Sequence, residues 1–211
     1  MTMFGSEQEA WLSRSIGRNK ATWTGLGSGT NMGYNYTPDS AIDWFPKDAP
    51  ERTRNFVRQG IAAAKAGLPY NLDNWGGYPA ARSRILAAAQ RADANLVVIT
   101  GDSHNGWAYD LPEGGKPAGV EFGGHSVSSP GFESATQGTD PSTVARGLLE
   151  GSKQELRWVD TSNRGYMHLA LTPQAATNEW VFMQTVKDIS LATKTGHKMK
   201  VRPGRKVLEQ A

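Results

Sequence analysis

The chain has 211 residues, of which 38% are hydrophobic and 20% charged, a composition typical of a folded globular protein with enough apolar material for a core. It contains no cysteine, which excludes disulfides, thiolate metal sites and thiol nucleophiles. Its formal net charge of +3 is modest, and no run approaches the roughly 18 apolar residues of a membrane helix, so we expect no membrane span.

The chain opens with a predicted helix and a short strand. Ser6 and Glu9 have the spacing of a capping box, which predicts a helix that runs to about Gly17. Its apolar residues Trp11, Leu12 and Ile16 fall on one stripe, which is expected to face the core. A short strand is predicted at 22–24 and extends to Leu26.

The segment 28–74 is the least patterned part of the chain. It combines several prolines and aromatic residues with one predicted helix, from Glu51 to about Ala66. Because exposing many aromatic side chains in a long loop is costly, we expect this segment to be a folded excursion over the domain rather than a linker.

The middle of the chain predicts a sheet covered by helices. Pro79 suits the first position of a helix predicted over 80–92, and the Val/Ile run 96–100 is typical of a strand buried on both faces. Further strands are predicted at 107–111, 120–126, 165–171 and 179–186, with a helix at 142–150. The last two strands are predicted to be antiparallel neighbours, so the fold class is α/β with mixed sheets.

Much of the positive charge lies in the tail 194–206. A basic tail can contact the phosphates of nucleic acid, but Val201 interrupts this one and no nucleic-acid-binding motif accompanies it. We therefore favour a solvated terminal strand and loop, which includes a solvated His197, and we do not expect a nucleic-acid partner.

The strongest candidate for chemistry is the Gly-Asp-Ser-His stretch that directly follows the 96–100 strand. Sites in open α/β sheets lie at the carboxyl ends of the strands. Asp102 offers a hard anionic oxygen and His104 a neutral nitrogen, a pair that suits a hydrolytic metal site, and Asn105 could bond a phosphoryl group. The alternative is that Asp102 caps a turn and His104 bonds a local carbonyl, which is the commoner outcome for this tetrapeptide alone.

Four other polar or aromatic residues receive structural interpretations. Glu121 alternates with apolar neighbours in its strand and is predicted to face solvent. His168 is predicted to lie on a sheet face, and Trp75 and Tyr78 to pack a turn onto the helix that follows them.

Six short blocks occur in the order found in one enzyme family, at 3–12, 21–24, 73–82, 100–107, 120–131 and 164–166. Asp73-Asn-Trp-Gly-Gly-Tyr-Pro-Ala-Ala-Arg82 is similar to Asp-x-Trp-Asp-Gly-Tyr-Pro-x-x-Arg, and Thr100-Gly-Asp-Ser-His-Asn-Gly-Trp107 to Thr-Gly-Asp-x-His-x-x-Trp. On these blocks the chain resembles the C-terminal half of the alkaline phosphatase D (PhoD-like) family of metallophosphatases.

The resemblance implies an α/β/β/α metallophosphatase-like sandwich, with residues 1–211 as one domain that forms its C-terminal portion. It implies that Asp102 and His104 are catalytic ligands of a cluster of calcium and iron ions, which hydrolyses phosphate monoesters and diesters through activated water. Arg82, Asn105 and His125 are the candidate substrate contacts. A strand-end hydrogen bond is an equally simple interpretation of His125.

Two departures from the family pattern limit this expectation. Gly76 stands where the family has Asp, and the family's earlier metal-binding blocks lie upstream of the matched region. A bimetallic site needs about six to eight donors, so we expect that Asp102 and His104 alone do not hold the full cluster.

Two hypotheses therefore remain open. The chain is part of a phosphoesterase, as a natural short form, a fragment, or one partner completed by a separate N-terminal half or a homo-oligomer. Alternatively, it is a non-catalytic protein that keeps the fold for binding or scaffolding. The family is typically exported, which implies a periplasmic or extracellular location, although the chain shows no signal peptide.

Overall fold

The computed structural model describes residues 2–211, which form four helices and two β-sheets. The helices are α1 (Ser6–Arg18), α2 (Glu51–Lys65), α3 (Pro79–Arg91) and α4 (Pro141–Gly151), with short 3-10 turns at Asp39–Asp43, Trp75–Gly77 and Phe132–Ser134. The strands are β1 (Thr24–Ser28), β2 (Leu96–Thr100), β3 (Gly106–Glu113), β4 (Lys116–Gly123), β5 (Leu156–Asp160), β6 (Gly165–Leu171), β7 (Ala176–Met183), β8 (Thr193–Val201) and β9 (Glu209–Gln210). None of the helices in this part of the chain has the length and apolarity that crossing a bilayer requires.

The first sheet is mixed and has the strand order β1-β2-β4-β3-β5. Strands β1, β2 and β4 run parallel, whereas β3 pairs antiparallel with both β4 and β5. Strand β2, which lies between β1 and β4, is the Val/Ile run predicted at 96–100, and both of its faces are covered. The carboxyl ends of the three parallel strands consequently lie at the same edge of the sheet.

The two faces of this sheet pack against different layers. Val98 belongs to a core shared with α1, α3 and α4, whereas its neighbour Val97 faces the second sheet. The second sheet is antiparallel, in the order β6-β7-β8-β9. Its Trp180 is fully buried against Phe122 and donates a hydrogen bond of 2.8 Å to the Gly123 carbonyl. Residues 2–211 thus form a helix layer and two sheets of the predicted sandwich.

The predicted helices are confirmed, but two details of the first helix are wrong. Gly5 is the N-cap of α1 and no side chain caps the helix, because Glu9 pairs instead with Arg84 of α3. Leu12 and Ile16 are buried as predicted, whereas Trp11 is 58% exposed. The apolar stripe of α1 is therefore only partly covered.

Glu121 is completely buried, so the prediction that it faces solvent is wrong. Its strand β4 lies between β2 and β3, where neither face is open to water. The carboxylate accepts hydrogen bonds from Met32 N at 3.0 Å, Gly33 N at 2.7 Å and Thr100 Oγ1 at 2.6 Å, and from the Asn31 side chain at 2.9 Å. Glu121 thereby fastens the start of the 28–74 excursion to the sheet, while burial raises the pKa of its carboxyl.

The basic tail is a structural strand of the second sheet. Met199 and Val201 of β8 are buried in the core between the sheets. His197 is half-buried and stacks on Trp158 with ring centroids 4.4 Å apart, so the prediction of a solvated imidazole is wrong. Burial lowers the pKa of His197. His168 is exposed on the face of β6, as predicted.

Candidate active site

The loop 101–105 presents Asp102 and His104 at the carboxyl edge of the first sheet. It leaves β2 beside the ends of β1 and β4. Asp102 and His104 have φ angles of +67° and +61°, in the left-handed region that Asp, Asn and His enter more readily than most residues. Both residues are exposed. The backbone therefore turns two potential metal ligands outward within three residues.

The two side chains differ in what they contact. The Asp102 carboxylate has no hydrogen bond or ion pair within residues 2–211, so the turn-capping role considered for it is not seen. His104 Nδ1 lies 2.9 Å from the Pro130 carbonyl, which fixes the tautomer with the proton on Nδ1. This bond is the local contact expected of an ordinary histidine. It is also the contact that orients a metal-binding histidine and leaves Nε2 available.

Asn105 holds the loop together. It is 4% exposed, its Oδ1 accepts a hydrogen bond of 3.1 Å from Phe132 N, and its Nδ2 donates one of 2.6 Å to the Ser103 carbonyl. Trp107 Nε1 donates to Ser103 Oγ at 2.5 Å. Both ends of the Asn105 amide are bonded within the fold, which positions the loop, and its contact with substrate stays a prediction.

Arg82 is engaged in a buried ion pair. Its guanidinium is 4% exposed, donates hydrogen bonds to Glu155 Oε2 at 2.8 Å and to the Met32 carbonyl at 2.9 Å, and lies 4.1 Å above the Tyr34 ring. Burial raises the pKa of Glu155, and the charge of Arg82 opposes that rise. These donors fasten the excursion to the rest of the fold, and the contact of Arg82 with substrate stays a prediction.

His125 lies just beyond the end of β4, near the Asp102 loop. The two segments are joined by a hydrogen bond of 2.8 Å from Gly124 N to the Thr100 carbonyl. The imidazole of His125 is buried edge-on against Phe182, and neither ring nitrogen has a hydrogen-bond partner in the described part of the chain. Burial lowers the pKa of His125, as does Arg164, whereas Asp160 opposes the shift. The imidazole is thus favoured in its neutral form, and its contact with substrate stays a prediction.

The turn that contains Gly76 has no room for the family's Asp. Trp75 is fully buried with its ring edge-on to Phe4, which confirms its structural interpretation. A Cβ added at Gly76 would meet the backbone carbonyl of Asn71 and the side chain of Asn74. A larger residue would require this turn to move.

The donor set is chemically suitable for a metal but incomplete. Carboxylate oxygen and imidazole nitrogen are common ligands of hydrolytic metal ions. However, residues 2–211 contain no group of three or more His, Asp or Glu side chains placed to hold one. By the chemistry of their side chains, Asp102 and His104 suit two ligands of a larger site, and their role as ligands stays a prediction.

Sequence reasoning missed the residues that support this site. Glu121 and Glu155 bind the excursion to the edge of the sheet, yet nothing close to them in sequence reveals their partners. The sequence did contain one indication that Glu121 is buried: it is the only polar residue in the stretch 117–123, which otherwise consists of apolar residues and glycine. In a strand with neighbours on both sides, such an acid must be hydrogen-bonded internally.

Comparisons with known proteins identify the family of this chain. The chain is 26% identical over 200 residues to "Alkaline phosphatase D" of Bacillus subtilis (strain 168), an alignment that covers 92% of this chain and 29% of that protein. A solved structure of PhoD superposes with a TM-score of 0.71 at 23% identity, over 100% of this chain and 35% of the other. The chain thus spans about a third of the length of these relatives. The PhoD-like phosphatase family matches residues 1–180, and the chain belongs to that family.

Proposed function

We propose that this chain supplies part of the active site of a metal-dependent phosphoesterase that acts on phosphate monoesters and diesters. The observation that carries the proposal is the exposure of Asp102 and His104 on one short loop at the carboxyl edge of the sheet. Within residues 2–211, Asp102 has no partner, and His104 has Nε2 free while Nδ1 contacts Pro130. Membership of the PhoD-like phosphatase family supports the same reaction class.

The proposed metals are calcium and iron, the ions implied by the family resemblance. When bound, such ions neutralise charge on phosphoryl oxygens and lower the pKa of water. The part played by this chain is positional. Asp102 and His104 are the proposed ligands, and the Pro130 carbonyl orients the imidazole. Asn105 holds the loop against segment 130–132 through its hydrogen bond with Phe132 N. By the same resemblance we propose a periplasmic or extracellular location.

We propose that the remaining donors come from a separate N-terminal half or from another copy of the chain. Strand β1 supports the first arrangement, because among the described strands it pairs only with β2 and its other edge is open to a further strand. A groove lined by residues of α1 and β1 runs beside that edge and includes the exposed Trp11. An added segment would therefore pair its backbone with β1 and pack apolar side chains against Trp11 at the same place.

The test is metal analysis of the purified chain together with hydrolysis of an aryl phosphate and an aryl bis-phosphate, with and without added calcium and iron. Asp102→Asn is the decisive variant, because Asn tolerates the left-handed backbone and removes only the charge. We expect it to lower any turnover by more than about 100-fold. Asp188→Asn, an exposed substitution in the loop after β7, is the matched control and should change nothing. Full activity in Asp102→Asn would remove that residue from the site.

A second candidate function is non-catalytic binding or scaffolding by the same fold. It is favoured by the lack of a third donor beside Asp102 and His104 within residues 2–211. Adding a separately produced N-terminal half of a family member separates the two candidates. Metal uptake and turnover on mixing support the phosphoesterase, whereas a complex that forms without either supports the scaffold.

A further inference from the structure

A cavity of about 360 Å³ lies against the Asp102 loop. Its wall includes Ser103 and Asn105, which flank His104, and Pro130, whose carbonyl contacts the His104 ring. The volume lies within the roughly 300–1,000 Å³ of small-molecule sites. A compound in this cavity would have one end next to the proposed metal ligands.

Aromatic side chains line the cavity from the excursion to the sheet. Phe56 and Tyr70 meet edge-on with ring centroids 6.2 Å apart, and Tyr70 lies 6.3 Å from Phe132. Phe132 in turn lies edge-on to Trp107 at 6.3 Å. Phe56 and Tyr70 are 59% and 44% exposed, although large apolar side chains are normally buried. These rings offer flat apolar faces to a ligand.

Three polar atoms among the wall residues have no partner. Trp44 Nε1, Thr37 Oγ1 and Asn35 Oδ1 are all buried without a hydrogen bond in residues 2–211. Trp44 itself is only 5% exposed. Each of these atoms has almost no accessible surface, so it lies within the wall and does not open on the cavity. The wall is closely packed there, since a Cβ added at Gly60 would lie 2.8 Å from Thr37 Oγ1. The surface offered to a ligand is therefore mainly that of the aromatic side chains.

We propose that this cavity binds the organic group of a phosphate ester, a flat aromatic ring. The ring lies among the aromatic side chains, and its ester end is directed to the Asp102 loop. The assignment of the ester end rests on the proposed function. The binding of the ring does not, because none of the cavity residues is a proposed metal ligand.

The experiment measures binding without metal. A fluorescent hydroxycoumarin and its phosphate ester are titrated into the full chain in the presence of a chelator, and binding is followed by fluorescence anisotropy and tryptophan quenching. We expect saturable binding of both compounds. Ala41→Leu, which places a larger side chain in the wall, should weaken binding at least tenfold. Ala170→Leu, the same change on the exposed face of β6, is the control and should not.

Phe56→Ala provides a second test, because this ring is 59% exposed and its removal leaves the buried core unchanged. Loss of its aromatic face should leave folding intact and weaken binding severalfold. No saturable binding to the unmodified chain, or equal binding by the Ala41→Leu variant, overturns the proposal. The two proposals are separated by adding metal together with the N-terminal half of a family member. Ring binding without hydrolysis then supports the cavity and counts against the phosphoesterase, whereas hydrolysis without ring binding supports the phosphoesterase and counts against the cavity.

Discussion

The replacement of Glu121 by alanine tests how the 28–74 excursion is held over the sheet. The change leaves Met32 N, Gly33 N and the Thr100 hydroxyl without their acceptor in a buried position. Each unsatisfied buried donor costs about 1–3 kcal/mol. Water that enters the vacated space recovers part of this, so we expect the free energy of unfolding to fall by about 3–5 kcal/mol. For a chain of this length that corresponds to a melting temperature lower by roughly 6–20 °C.

Urea and thermal unfolding followed by circular dichroism measure this loss, and hydrogen exchange at Met32 and Gly33 locates it. The matched control is Glu179→Ala, which removes an exposed carboxylate paired with Lys198 at 2.9 Å. An exposed pair of this kind contributes less than about 1 kcal/mol. If Glu121→Ala unfolds like the control and both amides keep their protection, the excursion is not anchored by this carboxylate and the reasoning fails.

Two further predictions concern Arg82 and His197. Arg82→Met leaves Glu155 buried without its cation, so the free energy of unfolding should fall by about 3–5 kcal/mol in urea titrations. A stable Arg82→Met variant with weakened substrate binding would contradict this structural role and support Arg82 as a substrate contact. For His197, burial holds the folded pKa below the ordinary 6.5, so the unfolded chain takes up the proton first. Stability should therefore fall as the pH drops through 6.5 towards the lower folded value, and His197→Phe should remove that component of the pH profile while it keeps the stacking on Trp158.

Local patterns in the sequence were sufficient to predict the elements that carry the candidate site. The Val/Ile run became β2, Pro79 begins α3, and the Asp102 loop lies at the sheet edge where strand-end reasoning placed it. These predictions depend on periodicity and on the residues at element ends, which are properties of short segments.

The incorrect predictions involve partners that are distant in sequence. Glu121 and Met32 are 89 residues apart, and Glu9 and Arg84, whose pairing replaces the predicted capping box, are 75 apart. Whether an acid faces water or a hydrogen-bond donor depends on which strand lies beside it. The order β1-β2-β4-β3-β5 cannot be predicted from the residues of any one strand. The burial of His197 has the same origin, since its partner Trp158 belongs to the other sheet.

The left-handed backbone at Asp102 and His104 limits what a mutational survey of this loop can report. Branched aliphatic residues are disfavoured there on steric grounds alone, whatever the chemistry of the site. A library randomised at both positions would therefore return glycine and short polar side chains even under selection for folding only. Only exchanges among residues that tolerate this conformation separate the contribution of a side chain from that of the turn beneath it.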